Sequence, residues 1–239
     1  ETIGDHIGAG IAHATLGGIA RRLGRYEEAI AHQQQTLQLS QIAADSPGQS
    51  EAYINLAHLY HLLGQRAMAE KQINRGLTIA RALQDMNLEA DAQLCRGHIN
   101  LGAENLPEAQ AAYARNWELR RRLNQSNRAI DGRAGLARVA LAQEEWEQAR
   151  VHVEYILSYL EDHPALDGVE EPCRAYWTCY QVLAVMQDRR APEILAKAYD
   201  YLQTKAAKIE DDALHRSFLK NVAVHRDLLA AYQHHHTEK

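Results

Sequence analysis

Two columns of small residues constrain this chain more than anything else in it. Gly17, Ala57, Gly97 and Ala137 step along the chain by 40, and so do Ala29, Ala69, Ala109 and Ala149. Each copy has an apolar-periodic run before a short break and another after it. The breaks fall at Leu23-Gly24-Arg25, Leu63-Gly64-Gln65, Glu104-Asn105 and Gln143-Glu144-Glu145. Two independent columns in one register mark a solenoid, in which each unit buries its apolar face on the next. The small residues predict close contact between the two helices of a unit, where added methylenes cost about 1–3 kcal/mol.

The rest of the chain agrees with an all-helical reading. Its 14 Gly, 5 Pro and single Phe stand against abundant Ala, Leu, Gln, Glu and Arg, which are good helix formers. Val and Ile are too scattered to suggest strands. The net charge of −5 offers no basic surface for nucleic acid. No apolar run approaches the roughly 18 residues that span a bilayer. Cys95, Cys173 and Cys179 have no CxxC spacing and read as reduced thiols of a cytoplasmic protein. The chain opens at Glu1-Thr2-Ile3, in mid-pattern, which predicts that the rest of a parent chain lies upstream.

The expected helix pairs run over about 4–46, 49–86, 88–125 and 127–162, with a divergent fifth over 172–209. Asp45-Ser46-Pro47-Gly48 reads as a loop, with the next helix starting at Gln49 or Ser50. Pro107 suits a first helical turn, and Pro172 and Pro192 open the fifth pair after a longer loop beyond Asp162-His163-Pro164. Over 210–239, Leu214, Phe218, Val222, His225 and Leu229 share a face of one capping helix, and His234-His235-His236 reads as a solvated tail or expression remnant.

Leu16-Gly17, Gly24, Tyr26, Ala29 and Leu37 resemble the tetratricopeptide repeat (TPR), a helix–turn–helix unit. The skeleton returns at Leu56-Ala57, Tyr60, Gly64, Ala69 and Leu77. It returns again at Gly97, Ala109, Tyr113 and Trp117, and at Leu136-Ala137, Trp146, Ala149 and Leu157. The resemblance covers nearly the whole chain and implies an α-α superhelix, right-handed, of about five pairs with a C-terminal cap. A period above the roughly 34 residues of the standard repeat is similar to the long-helix arrays of large bacterial STAND-class signalling NTPases. Ala198-Tyr199 through Leu202, Ala206-Ala207, Arg216-Ser217-Phe218-Leu219, Asn221-Val222 and His225-Arg226 look like the C-terminal end of such proteins. That likeness implies a sensor region.

No phosphate loop, Gly-Lys-Ser/Thr or Gly-x-Ser-x-Gly motif is present. The chain therefore reads as non-enzymatic, with no cofactor and no metal. His58 and His61, spaced i,i+3, with His98 one repeat on, suit a metal, but spacing fixes no carboxylate or Cys beside them. Trp117, Trp146 and Trp177 read as core or helix-contact residues in preference to a ligand cage. Gln72, three residues beyond Ala69, reads as outward-facing.

The TPR resemblance places function on a concave groove lined by the first helix of each pair. Groove position two then holds Glu51, Asp91 and Asp131, position nine His58, His98 and Arg138, and position twelve Arg21 and His61. The Lys and Asn with which co-chaperone TPRs grip a C-terminal carboxylate are absent from positions five and nine. The expected function is recognition of a protein or peptide in this groove, with an acidic line parallel to a basic-and-histidine strip. The alternative is sensing of a small effector for a STAND NTPase regulator. Histidines of ordinary pKa near 6.5 would make an anionic ligand bind more tightly as pH falls.

Overall fold

The computed structural model describes residues 3–163, 166 and 168–237, and among them every regular element is an α-helix. Glu1, Thr2 and Pro164 lie outside the described residues, as does the side chain of His236. The helices are α1 (Ile3–Arg22), α2 (Tyr26–Ile42), α3 (Ser46–Leu62), α4 (Arg66–Ala82), α5 (Met86–Gly102), α6 (Leu106–Arg122), α7 (Ser126–Ala142) and α8 (Trp146–Asp162). They continue with α9 (Pro172–Val185), α10 (Ala191–Ala206), α11 (Asp212–Lys220) and α12 (Ala223–Thr237).

Helices α2 to α8 are all 17 residues long and begin at 26, 46, 66, 86, 106, 126 and 146. The 40-residue repeat is thus two equal halves, and one kind of turn joins them. Its middle residue is left-handed at Gly24, Ala44, Gly64, Gln84, Glu104, Asn124 and Glu144, with φ between 53° and 74°. The following amide reaches back across the turn: Arg25 N–H donates to the Ala20 carbonyl at 2.9 Å, Gln65 to Tyr60 at 2.8 Å and Asn105 to Asn100 at 2.9 Å. This Schellman closure satisfies carbonyls that a helix end otherwise leaves open.

Asp45-Ser46-Pro47-Gly48, expected as a loop, is instead the start of α3. Asp45 is the N-cap, its carboxylate accepts from Gly48 N–H at 3.1 Å, and Pro47 sits in the first turn. Asp85 caps α5 in the same way through Asn87 and Leu88 N–H. The turn residues that mark loops also mark helix starts, and a three-residue link leaves no room for a longer loop.

Ala29, Ala69, Ala109 and Ala149 have no exposed surface, and neither have Ala57 and Ala137. Gly97 faces the Tyr113 ring more closely than Ala109, the expected neighbour: a β-carbon there would lie 2.5 Å from Tyr113 Cε1. Gln72 is buried, not outward-facing. Three residues along a helix is a rotation of only about 60° from the starting face, so Gln72 shares the packed side of Ala69.

The contacts divide the chain into two compact units, residues 1–124 and 125–239. In the first, consecutive helices pack in sequence, and α1 also packs on α3 and α3 on α5. The second helices α2, α4 and α6 have no comparable mutual packing. First helices that touch one another while second helices splay make the first-helix side the inner one. In the second unit α7 packs on α9 in the same way. The expected single capping helix is two, α11 and α12, broken at Asn221-Val222. Asp211 caps α11, and buried His225 bonds the Phe218 carbonyl through Nδ1 at 2.8 Å, closing the end of α11 with a side chain from α12. Burial holds the His225 pKa below its ordinary value. The expected tail is helical through Thr237.

Candidate functional site

The first-helix side of residues 1–124 brings together three of the residues singled out in the sequence. His58 and His61 stand one turn apart on α3, and both meet His98 on α5. The His58 and His98 ring centres are 5.5 Å apart, and His61 stacks on His98 at 6.5 Å with the planes 15° apart. His61 also lies against Gly102, where a β-carbon would come within 2.8 Å of its Cε1. His58 and His61 are half-buried. His98 is buried, and its Nδ1 lies 2.8 Å from the Tyr113 hydroxyl. Tyr113 thus orients the innermost ring from the second helix of the same pair, and the two outer rings lie over it.

The expected acidic line is not a row of unengaged carboxylates. Glu51 is exposed, but Asp91 is half-buried and ion-paired with Arg120, whose side chain is 1% exposed. Arg120 also donates to Asn87 Oδ1 at 3.2 Å. Asp91 is therefore engaged as a counter-charge of a buried guanidinium. Asp131, in the second unit, is buried; its carboxylate oxygens accept from the Glu170 and Glu171 amides at 3.0 and 3.2 Å. It ties α7 to the start of α9. Burial, reinforced by the neighbouring Glu170 charge, pushes its pKa up to about 7. Arg21 and Arg138 are half-buried on α1 and α7.

The second unit carries a feature that the sequence reading assigned to packing. Trp146 at the start of α8, Trp177 and Tyr180 on α9, and Leu141 at the end of α7 line an open pocket of about 460 Å³ with Gln181, Ala184 and Val185. Leu141 is position twelve of its repeat, so the pocket opens where α7 and α9 meet. Trp177 does pack partly on the core, but Trp146 is 38% exposed. The signal for this pocket was the placement of two aromatic residues, Trp177 and Tyr180, one turn apart on a helix outside the 40-residue register.

Cys95, Cys173 and Cys179 are buried free thiols. Burial pushes Cys173 up to about 12 and raises Cys179 further, which leaves both as unreactive packing groups. Among the described residues no group of three or more His, Cys, Asp or Glu is placed to hold a metal ion. No helix among them is long and apolar enough to cross a membrane.

The fold defines an all-α helical-repeat protein. Residues 9–82 match the family model described as Tetratricopeptide repeat. Among solved structures, the crystal structure of BtubC (BKLC) from P. vanneervenii is similar in fold, with a TM-score of 0.58 and 14% sequence identity over 90% of this chain and 85% of that one. No curated protein matches the sequence.

Proposed function

We propose that this chain is a non-catalytic recognition module that binds a protein or peptide partner along its first-helix face, as the sensor or interaction region of a larger signalling protein. Tetratricopeptide repeats generally mediate protein–protein interaction, and residues 9–82 match that family. The observation that carries the reading is the His58/His61/His98 cluster on the inner side of α3 and α5. His58 and His61 each lie against the ring of buried His98, and both are half-exposed polar groups offered on the first-helix side. Imidazole donors suit a partner with carboxylates, and the larger signalling context rests on the likeness of the final stretch to STAND proteins. Buried free thiols suit a reducing, cytoplasmic setting.

The test is selection of peptides from a displayed random library on the whole chain, followed by titration of the winners against a His58→Ala/His61→Ala variant. The reading expects acidic peptides to be enriched and the variant to bind them at least about fivefold more weakly. Selected peptides that bind both proteins equally would remove this face from the function.

A further inference from the structure

We propose that the pocket walled by Trp146, Trp177 and Tyr180 is a receptor for a cationic side chain, specifically an arginine presented by the partner segment. The inference rests on the recognition reading above and adds a second, chemically distinct contact in residues 125–239.

Three observations converge on a cation. The first is the aromatic wall itself. Trp177 and Tyr180 have ring centres 5.2 Å apart at an angle of 34°, and Trp146 completes the set across the pocket. Elsewhere four aromatic rings of the chain have one of its own cations over them. Arg75 lies 5.6 Å from the Tyr53 ring centre, Arg121 4.9 Å from Trp117, Arg133 4.6 Å from Tyr155, and Lys205 5.0 Å from Tyr201. Among the described residues no cation of the chain is placed over Trp146, Trp177 or Tyr180.

The second observation is the direction of the helices. Leu141 lies in the last turn of α7, and Ala184 and Val185 in the last turn of α9. The C-terminal turns of α7 and α9 and the first residue of α8 border the pocket. The partial negative charge of the two C-termini, which favours a cation, stands against the positive end of one helix. α7 has no basic residue in its last turn, and α9 has none after Arg174. The third is the rim. Glu144 and Glu145 immediately precede Trp146, Glu147 follows it, and all three are exposed.

The rest of the lining is apolar Leu141, Ala184 and Val185, with Gln181 as a polar neighbour. A side chain with a hydrocarbon stem and a charged head satisfies both parts, and the planar guanidinium of arginine also stacks on indole. A volume of about 460 Å³ admits such a side chain together with the backbone that presents it.

The indole N–H signals of the whole chain in nuclear magnetic resonance provide the test, with N-acetyl-arginine amide as the probe. N-acetyl-citrulline amide, of nearly the same shape but neutral, is the comparison, and Trp117 is the internal control because it lies in the other unit. The expected result is saturable shifts of Trp146 and Trp177 at millimolar probe, with citrulline binding about two- to fivefold more weakly. A Glu144→Gln/Glu145→Gln variant, changed only at exposed positions, should weaken arginine and leave citrulline unaffected. Trp146→Ala should abolish the shift of Trp177 while an unchanged melting profile shows that the fold persists. Equal binding of citrulline, shifts of Trp117 as large as the others, or no shift at all would overturn the proposal. Because the probe is a single amino acid derivative, none of those results bears on peptide binding at the histidine cluster.

Discussion

Residues 1–124 and the first helix pair of 125–239, α7 and α8, use one helical register but hold it together differently. In the first unit a polar contact recurs at the same place in every pair. Thr36 Oγ1 donates to the Gly10 carbonyl at 3.3 Å, Ser50 Oγ to the Gly76 carbonyl at 2.9 Å, and Asn116 Nδ2 to the Ala90 carbonyl at 2.8 Å. In the second unit the corresponding residues are Ile130 and Ile156, both with no exposed surface, at the centre of one large apolar cluster. Hydrogen bonds fix distance and direction but add little net stability; apolar burial adds more and directs less. The backbone repeat is therefore independent of which kind of contact supports it.

The largest expected effect follows directly. Ile156→Ala should lower stability by about 2–5 kcal/mol, whereas Ser50→Ala should cost only about 0.5–1.5 kcal/mol. Urea unfolding of the two variants measures both, and equal costs would break the comparison. Ala69→Leu should cost about 1–3 kcal/mol by overpacking, against almost nothing for exposed Lys71→Leu in the same helix. Similar midpoints would place the small-residue column on the wrong face.

Asp131 gives the second unit a pH dependence of its own. Its folded pKa is raised to about 7, so between about pH 4 and 7 the native state keeps a proton that the unfolded chain releases. Its contribution is fully present below the unfolded value and is lost as pH rises through the folded one. Unfolding free energy should thus fall on the order of 2 kcal/mol between about pH 5 and 7.5. Asp131→Asn should flatten that slope, and an unchanged slope would show that other groups cause it.

The smallest effects belong to the turns. Gly64 adopts φ 71° with nothing within 4 Å of a would-be β-carbon, so Gly64→Ala should cost about 1 kcal/mol from backbone strain alone. Glu104→Gly, at φ 58° in the equivalent turn, should be neutral or stabilise by about 0.5 kcal/mol. Thermal midpoints moving together in both variants would mean that these turns are not equivalent.

Much of this architecture was legible because small residues leave a periodic trace. The alanine column, the breaks after α1 and α3 and the prolines opening α6, α9 and α10 could all be read. The equal 20-residue spacing of the turns was not, because only Gly24 and Gly64 fill the left-handed position with glycine. Ala44, Gln84, Glu104, Asn124 and Glu144 occupy it without a compositional sign. At the candidate site, the TPR-like numbering put His58 and His98 at position nine and His61 at position twelve, and the structure brings the three rings together. The commitment of Asp91 to Arg120 was hidden, because Arg120 is a buried charge on what reads as a basic helix end. The burial of Asp131 was hidden too, since its partners, the amides of Glu170 and Glu171, come from the irregular segment before α9. The aromatic pocket escaped because Trp177 and Tyr180 fall where the 40-residue register stops.

Recognition by the first-helix face is the central claim, and hydrogen exchange tests it most directly. The whole chain would be exchanged with and without a peptide selected as above, and fragments covering single helices compared. Slowed exchange in α3 and α5, with α4 and α6 unchanged, is the result the account predicts. Protection confined to α4 and α6 would contradict it.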